Sequence, residues 1–197
     1  SAFKPLVYLA GLEAGLRDNS VLTDEPININ GWKPRNFDKK FRGPVSLQEA
    51  LAKSINTISV QVARHAGYGN VAKVAGRLGV RGNLGTHPSL ALGSVEVSLL
   101  DLTGAYAVLA NGGHGVWPFA ILEITARDGE VLYKRSGSGP GRVVTAHDAS
   151  VMNAMMAGVI ETGTGHNAAI GRPAAGKTGT SQNFRDGWFV GFTADLV

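Results

Sequence analysis

Ser1 places a hydroxyl three residues before the amine of Lys4. At the start of a helix, positions i and i+3 share a face, one turn apart. A neutral lysine there could take the serine proton and make the hydroxyl a nucleophile. S-x-x-K alone is common, and a surface Ser and Lys is the plainer explanation of it. Ser54-Ile55-Asn56 offers a second hydroxyl and a carboxamide. The hydroxyl could relay a proton to a leaving group, and the carboxamide could hold the lysine or a substrate amide. Taken alone, the same three residues are a helix-break pattern. Lys177-Thr178-Gly179-Thr180 follows the small residues Ala174, Ala175 and Gly176 on an expected strand. Gly179 leaves no side chain on its side of the strand, so another chain can lie close. A strand edge can pair with a peptide-like substrate through backbone hydrogen bonds. Lys177 and the two hydroxyls can face a carboxylate.

Gly171 to Thr178 also matches the phosphate-loop pattern G-x-x-x-x-G-K-T. Such a loop follows a buried strand and opens a helix. Here an Ala/Met helix and a Gly-Thr-Gly loop precede it, and no helical period follows. The nucleotide reading is therefore set aside.

The elements that must position these groups are legible from periodicity. Residues 4–16 read as a helix, with Leu6, Leu9, Ala10, Leu12 and Leu16 at helical spacing. Pro5 is tolerated in its first turn. Residues 18–45 hold three prolines, with Trp32, Phe37 and Phe41, and no sustained period; they read as a long ordered loop. Trp32 and Phe37 are expected to pack that loop. Ser46 and Glu49 form a capping-box pattern opening a helical region to about residue 65, with a break expected near Ser54. Helices are expected over 69–78, 94–110 and 147–160. Residues 116–135 read as two strands around Asp128-Gly129, a hairpin turn. Residues 173–181 and 188–193 read as strands joined by a polar loop, in which Arg185 and Asp186 are expected to brace the turn.

Composition bounds the answer. The chain has 197 residues, 44% of them hydrophobic and only 17% charged, which fits one folded domain or a large piece of one. Its net charge of +4 is mild and no dense basic run exists, so nucleic acid is not the default partner. The absence of cysteine excludes a disulfide scaffold, a thiol nucleophile and cysteine-ligated metals. The five histidines show no metal spacing; His166, beside Gly163-Thr164-Gly165, could line a cleft. Met152, Met155 and Met156 read as core. No apolar run reaches 18 residues. Both ends read as cut.

S-x-x-K, S-x-N and K-T-G-T in that order are the motif set of penicillin-binding proteins and class A β-lactamases. The chain resembles the transpeptidase domain of bifunctional class A penicillin-binding proteins over essentially its whole length. The matching stretches include Phe3-Lys4-Pro5 with Tyr8, Trp32-x-Pro34-x-Asn36-x-Asp38, and Leu92-Gly93 through Ala105-Tyr106 to Asn111-Gly112-Gly113. Glu161-Thr162-Gly163-Thr164-Gly165 and Asp186-Gly187-Trp188-Phe189 also match, with Gly187 where the family usually has alanine.

The resemblance implies an α/β fold of α+β type, in which a helical body packs on an antiparallel sheet, here incomplete at both ends. It implies two-step acyl transfer on D-alanyl-D-alanine stem peptides of peptidoglycan, inhibited by β-lactams. Ser1 would be the nucleophile and Lys4 its base. Ser54 and Asn56 would serve proton relay and substrate contact. Lys177, Thr178, Gly179 and Thr180 would bind substrate, and the amides of Ser1 and Thr180 would form the oxyanion hole. No cofactor or metal is implied. The place of action would be the periplasmic or extracytoplasmic face of the bacterial inner membrane, through an anchor elsewhere. Two alternatives stand beside this reading. A serine β-lactamase would hydrolyse the same acyl-enzyme, but residue 55 is isoleucine where class A lactamases have aspartate, and no E-x-x-L-N segment is present. A silent binding or structural fragment is the other. Trp188, Phe189, Val190 and Phe192 are too apolar to face water together, so other segments or another chain are expected to complete the sheet.

Overall fold

The computed structural model describes residues 1–137, 139–180 and 187–197. Its first helix, α1 (Lys4–Glu13), is apolar nearly all round, and Lys4 through Leu12 are buried. A helix of that kind belongs at the centre of a domain. Leu6, Val7, Tyr8 and Leu9 have no exposed surface, and burying each such side chain stabilises the fold by about 1.5–3 kcal/mol. The helix ends three residues earlier than its periodicity suggests. Gly15 takes φ +95°, and the amide of Leu16 turns back to the carbonyl of Gly11 at 3.0 Å. Leu16 still packs on the core, now from outside the helix.

Residues 18–45 are not wholly loop. β1 (Val21–Asp24) and β2 (Gly43–Ser46) pair antiparallel, with Val21 opposite Ser46. The intervening segment is held at its base by this short ribbon. Trp32 is half-buried against the core, as expected. Phe37 is 72% exposed, contrary to expectation; Pro34 and Asn36 are the residues turned inward.

Ser46 caps α2 (Leu47–Ala52) by accepting from the amide of Glu49. The Glu49 carboxylate does not complete the capping box; it takes Lys53 Nζ at 2.6 Å, one turn on. The expected break follows, with Ser54 in the left-handed region at φ +55°. α3 (Asn56–Ala66) and α4 (Tyr68–Arg77) come next. A 3-10 turn (Pro88–Leu92) then leads to α5 (Leu99–Ala110). The expected helix over 94–110 therefore starts late, at Ser98, whose side chain accepts from the amide of Asp101 at 3.0 Å. β3 (Glu123–Thr125) and β4 (Val131–Lys134) form the hairpin read from Asp128-Gly129, and both strands are exposed throughout. α6 (Ala146–Glu161) buries Met152, Met155 and Met156.

The last pair is β5 (Ala175–Thr180) and β6 (Gly187–Phe192), antiparallel, with Lys177 opposite Val190 and Gly179 opposite Trp188. α6 packs on β5, and α3 packs on α1. The fold is a helical body on small open antiparallel sheets. Lys177 lies in a strand and opens no helix, so the phosphate-loop match is a coincidence of sequence. Arg185 and Asp186 lie outside the described residues. Val190 and Phe192 are buried against the helices, whereas Trp188 and Phe189 are 51% and 43% exposed.

Candidate active site

Ser1 sits half-buried in a turn just ahead of α1, where the amide of Lys4 donates to its carbonyl at 3.0 Å. Two distant elements fix that turn. Tyr106 of α5 donates its hydroxyl to the carbonyl of Ala2 at 2.7 Å. Tyr106 is fully buried, and burial pushes its pKa up, so it stays a donor. Gly93, at φ +72°, lies against Phe3; a Cβ there would sit 2.8 Å from Phe3 Cβ. The nitrogen of Ser1 donates to the carbonyl of Leu92 at 3.2 Å.

Lys4 has no exposed surface. Its Nζ donates to the Ser54 carbonyl at 2.6 Å, to Ser54 Oγ at 3.1 Å and to Asn56 Oδ1 at 2.7 Å. All three partners are neutral. Burial, and next the charge of Lys177, hold the amine well below the ordinary lysine value. The left-handed turn at Ser54 is what brings its carbonyl, its hydroxyl and Asn56 to one point. The first two sequence clusters thus meet directly.

Lys177 is equally buried, and burial lowers its pKa to about 8. Its Nζ donates to the carbonyl and the hydroxyl of Thr178 at 3.1 and 3.2 Å. Strand alternation puts Lys177 and Gly179 on one face and the two threonines on the other. Thr178 is half-buried and Thr180 is exposed. Gly179 brings β5 against the serine turn: a Cβ on it would lie 3.3 Å from both the amide nitrogen and Cβ of Ala2. Among the described residues β5 pairs only with β6, so its other edge is open. Neither lysine has an ion pair among the described residues.

Several residues outside the sequence clusters hold the site together. Thr164 donates its amide to the Ala52 carbonyl at 3.0 Å and its hydroxyl contacts that of Thr178 at 2.6 Å. It therefore ties the end of α2 to β5. Gly163 makes this possible, since any Cβ there would be 2.3 Å from the Ala52 carbonyl oxygen. Asn36, Asp24 and Thr57 form a buried polar knot beside Asn56. His166 is exposed on a short 3-10 turn, residues His166–Ala168. A groove of about 400 Å³ lined by Ser46, Glu49, Lys53 and Thr162 contains none of the reacting groups. The candidate site lies elsewhere, where Gly179 of β5 approaches the turn at Ala2.

A serine one turn ahead of a deprotonation-prone lysine, a second hydroxyl on that lysine and an open strand edge make an arrangement suited to acyl transfer. The family described as the penicillin binding protein transpeptidase domain matches residues 1–195. Penicillin-binding protein 1A of Neisseria meningitidis serogroup A is 36% identical over 211 residues, covering all of this chain and 26% of the relative. The protein of the same name from Rickettsia bellii is 32% identical over 226 residues, covering all of this chain and 29% of the relative. The chain thus spans under a third of the length of these curated relatives. The crystal structure of penicillin-binding protein 1A from Haemophilus influenzae superposes with a TM-score of 0.90 at 27% identity, covering 98% of this chain and 35% of that one. PonA1 of Mycobacterium tuberculosis in complex with penicillin V gives 0.88 at 26% identity, covering 98% of this chain and 57% of that one. From Ser1 to Asp195, this chain belongs to the penicillin-binding protein transpeptidase domain family.

Proposed function

We propose that this chain carries the acyl-transfer site of a serine D,D-transpeptidase that cross-links peptidoglycan stem peptides. The observation that supports it most is the buried Lys4 amine, held by Ser54 and Asn56 with no counter-ion among the described residues and a depressed pKa, just after the turn that carries Ser1. In the first step Lys4 takes the Ser1 proton and Ser1 Oγ bonds the carbonyl carbon of the penultimate D-alanine. The C–N bond to the last D-alanine breaks, and the proton reaches that amine through Ser54. In the second step an amine of another stem peptide attacks the ester, the amide forms, and the proton returns to Ser1 Oγ. Lys177, Thr178 and Thr180 receive the terminal carboxylate, which the Lys177 amine, without an ion pair among the described residues, favours. The backbone nitrogen of Ser1 and the amide of Thr180 stabilise the oxyanion. Gly179 lets the substrate lie along the open edge of β5.

β-Lactams would occupy the same place and leave a persistent acyl-enzyme. No helix of the described residues is long and apolar enough to cross a membrane; we assign the site to the extracytoplasmic side, anchored through a segment outside residues 1–197. Segments beyond this stretch would cover Trp188 and Phe189 and complete the sheet. Intact mass spectrometry of the full chain with penicillin tests the proposal. One stable adduct of the whole ligand mass is expected, absent in Ser1→Ala. An adduct retained in that variant, or rapid turnover of the ligand, refutes it.

A further inference from the structure

The N-cap position of α3 is Ile55, which has no side-chain acceptor for the exposed amides of the helix start. The cap comes instead from far away in sequence. Asn36 Oδ1 accepts from the amide of Asn56 at 3.0 Å and from that of Thr57 at 3.4 Å. Its Nδ2 is fully used as well, donating to both carboxylate oxygens of Asp24 at 2.8 and 3.0 Å and to the Lys40 carbonyl at 2.8 Å. Asn36 is 5% exposed and Asp24 1%. Asp24 also accepts from the amide of Arg42 at 3.0 Å and from the Thr57 hydroxyl. No other common side chain of this size supplies two donors and an acceptor oxygen in that arrangement.

The neighbouring residue completes the device. The carbonyl of Arg35 accepts from Asn56 Nδ2 at 2.7 Å. With its nitrogen held there, the carboxamide turns Oδ1 towards Lys4 Nζ, 2.7 Å away. The backbone of Asn56 is thus set by Asn36 and its side chain by Arg35. Pro34, buried just ahead, fixes the approach of this segment.

We propose that Asn36 is a positioning residue for acyl transfer: as a tertiary cap on α3, braced by Asp24, it aims Asn56 at Lys4 and so sets the geometry of the base. The inference rests on the acyl-transfer reading above. It assigns the long loop a task at the catalytic lysine, without contact to the reacting atoms.

The test is stopped-flow acylation of the full chain by a chromogenic β-lactam, separating the encounter constant from the acylation rate constant, with adduct stoichiometry read by mass. Asn36→Ala is expected to lower the acylation rate constant about 10- to 100-fold, with the encounter constant little changed and one adduct still formed per chain. Asn36→Asp keeps the oxygen but sets two carboxylates together. Adding Asp24→Asn restores a donor opposite an acceptor and is expected to return much of the rate. Asp38→Asn, which loosens the same loop at its exposed Arg42 contact, is expected to acylate like the wild type. A purely structural role would lower the labelled fraction while that fraction reacted at the wild-type rate constant. That result overturns the inference, as would equal rates for Asn36→Asp with and without Asp24→Asn, a comparison that stands if Asn36→Ala does not fold. An unlabelled wild type would instead overturn the acyl-transfer reading itself.

Discussion

Lys4 is an amine in a place that punishes charge, and its three partners are all neutral, so the uncharged form that can take a proton is favoured. Lys4→Ala is therefore expected to slow acylation by about 10²–10⁴-fold while the chain stays folded. A loss of tenfold or less at neutral pH would show that another group takes the proton. The two lysines divide the work differently. Lys177→Ala is expected to weaken reaction with carboxylate-bearing ligands much more than with carboxylate-free esters. Equal losses on both would remove its assigned role. Ser1, Lys4, Ser54, Asn56 and Lys177 were legible as candidates because each motif is short and local, but each motif alone is common and their joint reading came from the family resemblance. Asn36 as a cap could not be, because an acceptor 20 residues from the amide it serves leaves no local pattern. Tyr106 and Thr164 were hidden for the same reason: their partners are far away in sequence.

At the scale of elements, two glycines near the site make opposite predictions. Gly163 sits where α6 ends against α2, with no room beside the Ala52 carbonyl. Gly163→Ala is expected to cost about 1–3 kcal/mol and to slow acylation, by prising Thr164 from Thr178. Gly187 opens β6 with nothing among the described residues within 4 Å of its would-be Cβ, and it takes no left-handed φ. Gly187→Ala is expected to stabilise the chain by about 0.4–1 kcal/mol. Thermal melts of both variants check the pair, and equal shifts would discredit the packing described at Gly163. Three helices were legible in the sequence, α1, apolar nearly all round, α3, with one apolar face, and α6, rich in Ala and Met, as was the hairpin turn at Asp128-Gly129. The β1–β2 ribbon was not: four residues with a proline at the edge give no alternation to read. The late start of α5 had a local sign, Ser98 with Asp101, obscured by the apolar Val95 and Val97 upstream.

Across the whole molecule, buried ionisable groups set the pH response. Lys177 falls from 10.5 to about 8 on folding, so below pH 8 its burial opposes the fold by about 3 kcal/mol. That cost disappears as pH rises from 8 to 10.5, since the unfolded chain then holds the extra proton. Lys4 acts with the same sign. Tyr8 and Tyr106, both raised by burial, act in the opposite sense above pH 10, where only the unfolded chain loses their protons. The melting temperature is expected to be higher at pH 9.5 than at pH 7 and to fall beyond pH 11. Calorimetry showing a drop between pH 7 and 9.5 would contradict the burial of the two lysines. A different consequence follows from the distances along the chain that the site spans. Lys4 meets Ser54 across 50 residues, and Tyr106 meets Ala2 across 104. A half-finished chain, with any one of these loops still open, has not brought the Ser1 turn, Lys4 and Ser54 together. Covalent labelling by a β-lactam during refolding should therefore count completed molecules one by one, and its time course should lag behind the return of helix.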